Sequence, residues 1–205
     1  MVITGFGHRP DEVGGYSDDT VAKLTCFAVD TLTQLNATKV ITGMGLGWEQ
    51  GLALAALELK LPLIVALPFD GMEKRWPERS QQLFRSIVSQ ATSVKTITPG
   101  PFSPSKFVTR DKWMVDNSES VAILWKNWKK DEQYEESLKV TTVTDNVGNI
   151  IFTQVRDTNG ILQRIISYAD EQDKAIYQLW PQWVTWTGES TFDEFRDMML
   201  AICEG

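Results

Sequence analysis

Four short apolar runs each end within two residues of a glycine or proline, and each is followed by a stretch with helical spacing: Val2 to Thr4, Lys39 to Thr42, Pro62 to Leu67 and Val94 to Ile97. No other feature of the chain restricts its fold so strongly. Leu63-Ile64-Val65-Ala66-Leu67 is apolar at every position, which suits a strand covered on both faces. After Ser17-Asp18-Asp19, a helix cap, apolar residues recur at Val21, Leu24, Ala28, Leu32 and Leu35. Further helices are predicted from Trp48 to about Lys60, from Pro77 to about Gln90 with proline in the first turn, and from Ser105 to Asn117. Ser120 to Trp125 reads as a fifth strand. Such strand–helix alternation predicts an α/β domain of three layers, with helices on both faces of a mostly parallel sheet.

The rhythm then changes. Residues 126 to 137 are charged and polar, and Val140 to Thr144 and Ile150 to Val155 flank Asp145-Asn146-Val147-Gly148-Asn149 as an inserted β-hairpin, within a segment of about 127–157. A helix over Gly160 to Asp170 and a strand over Lys174 to Leu179 follow. A closing helix at about 191–203 has Thr191 as its cap and Glu194 three residues on. The length suits one domain over 1–205.

A net charge of −7 argues against an extended nucleic-acid footprint, though a small pocket can still be locally positive. One histidine is too few for a His-rich metal site, and Cys26 and Cys203 read as two buried thiols, so neither a metal nor a cofactor is expected. The start of the chain lacks the pattern of a secretory signal and no apolar run approaches a membrane span, so the expected location is cytoplasmic. Eight tryptophans must shape a core, an interface or a pocket, and they favour a homo-oligomer.

Ligands of parallel α/β sheets bind beyond the carboxyl ends of the strands, where the loops of interest all open. Gly43-x-Gly45-x-Gly47 lies between a strand and a helix, so it reads either as a phosphate loop or as a tight turn without a ligand. Glu49, next in the helix, suits a ribose hydroxyl, a general base or the helix dipole; Trp48 is a stacking platform for a base or a packing residue. Gly5-Phe6-Gly7-His8-Arg9-Pro10 offers a second loop, in which Arg9 can grip phosphate and His8 is the lone imidazole. In Arg110-Asp111-x-x-Met114-Val115-Asp116, one helix face either carries charge toward the strand edge or pairs it locally.

Taken in order, Thr4-Gly5-Phe6-Gly7-His8-Arg9-Pro10, Thr42-Gly43-Met44-Gly45-Leu46-Gly47, Leu61 to Phe69, Trp76-Pro77 and Arg110 to Asp116 resemble the SLOG superfamily. The resemblance is to its Rossmann-like, YpsA-like branch, related to the LOG phosphoribohydrolases and to DprA. It covers roughly residues 1 to 125 and 157 to 180. In place of the family's Gly-Gly-Thr loop stands Thr158-Asn159-Gly160, and the LOG signature Pro-Gly-Gly-x-Gly-Thr-x-x-Glu, with its catalytic Glu, is absent.

The resemblance implies a ligand site drawn from Gly5, Gly7, His8, Arg9, Gly43, Gly45, Gly47, Trp48, Glu49, Arg110, Asn159 and Gly160. It also implies a ligand derived from a nucleotide and bearing phosphate, such as an ADP-ribose derivative or a cyclic signalling nucleotide. With the catalytic Glu missing, the first expectation is a sensor or a sequestering sponge, as a virus would deploy against host signals. The alternative is an enzyme cleaving an N-glycosidic or phosphate bond, with Glu49 as base and His8 or Asp116 in support; a scaffold with a vestigial pocket is the third.

Overall fold

The computed structural model describes residues 1–10, 13–125, 141–144, 150–154 and 161–179. In chain order the elements are β1 (Val2–Gly7), α1 (Asp18–Gln34), β2 (Lys39–Thr42), α2 (Trp48–Glu58), β3 (Leu63–Leu67), a 3₁₀ turn (Met72–Arg75), α3 (Glu78–Gln90) and β4 (Ser93–Thr96). Then come α4 (Pro104–Asp116), β5 (Ser120–Leu124), β6 (Thr141–Thr144), β7 (Ile150–Gln154), α5 (Ile161–Glu171) and β8 (Ala175–Leu179).

Six strands form one sheet in the order β4-β3-β2-β1-β5-β8, and every pairing in it is parallel. The chain steps outward from β1 to β4, then returns to the other side of β1 with β5. That reversal puts a topological switch point between β1 and β5, where such sheets open a crevice for ligands. Residues of α1, α2 and α3 fill one core with Ile3, Val40 and Leu63; residues of α4 and α5 fill a second with Phe6, Ile41 and Val121. The sheet thus lies between two helical layers. β6 and β7 pair antiparallel as the expected hairpin, with β7 near β8.

The local signals behave as their chemistry requires. Ser17 caps α1, its Oγ accepting from the Thr20 N–H at 3.1 Å. α4 starts one residue before the expected Ser105, with Pro104 inside its first turn after the cap Ser103; Pro77, expected in the first turn of α3, stands one residue earlier, as its cap. Cys26 is half-buried on α1 rather than buried. Cys203 and the closing helix at about 191–203 lie outside the described residues, as does most of the 127–157 segment.

The largest departure is at β1. The strand does not stop at Gly5: it continues to Gly7, pairing Gly5 with Ala122 and Gly7 with Leu124, and the His8 N–H extends the ladder to the Leu124 carbonyl at 3.1 Å. The reason is α2. Trp48 is fully buried and donates from Nε1 to the Ala122 carbonyl at 3.2 Å, crossing β1 to reach β5. A Cβ on Gly5 would meet Leu52 Cδ1 at 2.0 Å, and one on Gly7 would meet Trp48 Cβ at 2.9 Å. The glycines keep the strand bare so that α2 can lie directly on it.

Candidate functional site

The loop between β2 and α2 leaves the sheet one strand away from the switch point. Thr42, the last residue of β2, organises it from below. Its Oγ1 donates to the Glu49 carbonyl at 2.9 Å and accepts from the Met44 N–H at 3.2 Å, so the strand end and the first turn of α2 are tied across the loop. Met44 is buried with φ +63°, a left-handed conformation uncommon for a residue with a side chain and enriched at functional sites. Gly47 precedes α2 with φ +94°, and its Cα packs so close to the β1 loop that an added Cβ would stand 2.8 Å from the His8 carbonyl oxygen. His8, nine-tenths buried, and Gly47 therefore belong to one contiguous edge, with Arg9 exposed beside them.

The loop folds around a charged cluster. Glu49 Oε2 accepts from the Gly45 N–H at 3.2 Å. Arg110, reaching in from α4, donates from Nη1 to the Gly43 carbonyl at 2.7 Å, lies 3.6 Å from Glu49 Oε2, and donates from Nε to Asp111 Oδ1 at 2.7 Å. Its guanidinium also sits 5.6 Å from the centre of the Phe107 ring. The Arg110 side chain is 6% exposed, so its charge is spent on two carboxylates and a carbonyl rather than on solvent.

Burial pushes the Asp111 carboxyl up to about 6, against the pull of the adjacent Arg110, and the negative charge of Glu49 adds to the rise. Asp111 is thus a carboxyl that exchanges its proton near pH 6, a property its place in the sequence motif did not reveal.

The expected residues divide clearly. His8, Gly43, Gly45, Gly47, Glu49 and Arg110 meet at the loops and cluster of the strand edge. Gly5 and Gly7 instead serve packing, because α2 covers them. Trp48 does too: with no exposed surface and its N–H committed to Ala122, it has no face left for a base. Asp116 is six residues beyond Arg110, about 9 Å along the helix axis, and accepts from the Tyr168 hydroxyl of α5 at 2.8 Å, away from Glu49. Asn159 and Gly160 lie outside the described residues. Of the two ways of reading the charged α4 face, Arg110 reaches the edge while also pairing with its own neighbour, Asp111. Among the described residues no group of His, Cys, Asp and Glu is arranged to hold a metal ion, and no helix is long and apolar enough to cross a membrane.

A parallel six-stranded α/β sheet with a glycine loop and a buried ionic cluster at its carboxyl edge defines a Rossmann-like protein. The chain belongs to the YspA SLOG family, whose model matches residues 1–150. Similar proteins include a UPF0398 protein of Brevibacillus brevis, 30% identical over 146 residues, covering 67% of this chain and 73% of that one. A UPF0398 protein of Bacillus pumilus is 28% identical over 140 residues, covering 60% and 73%. The SPbeta prophage-derived protein YoqJ of Bacillus subtilis is 25% identical over 119 residues, covering 50% and 70%. Among solved structures, DNA processing protein A of Helicobacter pylori, described for its single-stranded DNA binding mode, has a TM-score of 0.45 at 15% identity, covering 98% of this chain and 80% of that one.

Proposed function

We propose that the protein binds a nucleotide-derived, phosphate-bearing small molecule at the carboxyl edge of its sheet, acting as a sensor or sequestering sponge. The observation that carries this reading is the Gly45 N–H already engaged by an anion, the Glu49 carboxylate, with Arg110 behind it. A loop whose amide holds one oxyanion suits another: phosphate oxygens would replace the carboxylate and keep the same donors. Exposed Arg9, on the loop touching Gly47, would supply the second positive charge. The derived ligand class includes ADP-ribose variants and cyclic signalling nucleotides. A single domain, a homo-oligomeric state and a cytoplasmic location complete the reading.

Calorimetric titration with ADP-ribose, AMP and inorganic phosphate tests it. A nucleotide is expected to bind more tightly than phosphate alone, and Arg9→Ala to weaken that binding by about 1.5–3 kcal/mol. Affinities no better than for phosphate would sink the reading. Light scattering showing only a 23.2 kDa species at micromolar concentration would remove the oligomer.

One observation favours the enzymatic alternative, cleavage of an N-glycosidic or phosphate bond. Asp111, with its carboxyl raised to about 6, is tuned for proton transfer, and Glu49 lies across Arg110 from it. Chromatography of the ligand recovered after heat release separates the two: intact ligand supports binding, altered ligand supports catalysis.

A further inference from the structure

On the helical side of the glycine loop, away from Arg110, the ends of α1, α2 and α3 leave a cleft of about 120 Å³. Its walls are chiefly apolar, from Tyr16, Val21, Leu24, Leu46 and Leu83. Across its mouth the exposed side chains of Asp18 and Arg79 form an ion pair, so the described part of the rim carries both signs. Gln50, the third residue of α2, is part of the lining and only 3% exposed, and its Nε2 donates to nothing.

A buried amide donor without an acceptor is costly, and a site that carries one is poised for an acceptor from outside. Gln50 lines the cleft, and the last torsion of a glutamine is soft and two-fold, so rotation of the side chain can present the amide there. A volume near that of cavities that admit benzene suits one six-membered ring. Apolar walls favour a flat, uncharged ring, and the amide demands that it carry a hydrogen-bond acceptor.

We propose that this cleft is a second small-molecule site, which takes an uncharged six-membered ring bearing a carbonyl, with Gln50 donating to that carbonyl. The cleft borders the strand-edge site through Pro10 and Gly47, but Glu49 and Arg110 do not line it, so the proposal stands whether or not the strand edge binds a nucleotide.

The test uses the intact chain, ¹⁵N-labelled, titrated with uracil and, in parallel, with benzene. Uracil is expected to shift the Gln50 side-chain amide and the surrounding backbone signals saturably, with benzene at least about tenfold weaker, the value of one hydrogen bond. Gln50→Leu keeps the shape, removes the donor and is expected to weaken uracil about tenfold while leaving benzene unchanged. Leu83→Phe, which fills the cleft and leaves Gln50 in place, is expected to block both. The proposal is overturned by no saturable shift up to the solubility of uracil, by benzene binding as tightly as uracil, or by parental uracil affinity in both variants. Should Gln50→Leu not fold, Leu83→Phe and the uracil-to-benzene ratio of the parent decide alone.

Discussion

Two glycine-rich stretches look interchangeable in the sequence, Gly5-Phe6-Gly7 and Gly43-Met44-Gly45, yet they do different work. The first is strand, paired with β5 and pressed under Trp48 and Leu52. The second has left the sheet and wraps a carboxylate and a guanidinium. The difference lies in what α2 sends to each. Apolar side chains turn toward β1, so its glycines make room for packing; Glu49 turns toward the loop, so its glycines make room for charge. Glycine marks close approach in both places, and only the approaching partner tells a core contact from a polar site.

The comparison can be broken most decisively at Arg110. Arg110→Met keeps the bulk but strands Glu49 and Asp111 without their cation, and is expected to lower unfolding free energy by about 3–5 kcal/mol in urea titration at pH 8. A loss below 1 kcal/mol would mean that the cluster is solvated rather than buried.

Gly5→Ala comes next, at about 3 kcal/mol, because the new methyl collides with Leu52 in a fully buried layer. If this variant kept parental stability and lost nucleotide binding, the roles assigned to the two stretches would be reversed.

A pH series sharpens the second region. Asp111 holds its proton to about pH 6 when folded but releases it near 3.8 when unfolded. The folded state binds more protons in that window, so this contribution is present below about pH 4 and disappears as pH rises through 6. Asp111→Asn keeps an oxygen for Arg110 and removes the titration. Measured against the parent, it is expected to gain about 2 kcal/mol on going from pH 4 to pH 8. Parallel pH profiles would show that Asp111 has an ordinary carboxyl.

The smallest effect belongs to Gly45→Ala. Its methyl would stand 2.9 Å from Glu49 Oε1, the movable end of a side chain, so less than about 1 kcal/mol of stability should be lost. The contrast with Gly5→Ala, the same substitution packed against the same helix, is the measurement that carries most information about how α2 is used.

How much of this was legible follows from how local each signal is. Leu63 to Leu67 announces a buried strand by itself, and Ser17 announces a helix start, because the relevant chemistry lies within a few residues. The order of the motifs was enough for the family. The course of β1 through Gly7 was not, since it depends on Trp48 and Leu52, more than forty residues away. Asp111 and Asp116 look alike on one helix; burial beside Arg110 separates one from the other, which faces Tyr168. Gln50 left no trace in the sequence because its cleft exists only where three helices converge.

Trp48, Glu49 and Gln50 open α2 in three directions: onto the sheet, into the glycine loop and toward the helical cleft. Successive residues of a helix are turned by about 100°. Adding or deleting one residue between Thr42 and Trp48 would therefore push the indole out of the core while swinging the carboxylate and the amide into each other's surroundings. The length of this loop is thus a single dimension shared by the core, the charged cluster and the cleft.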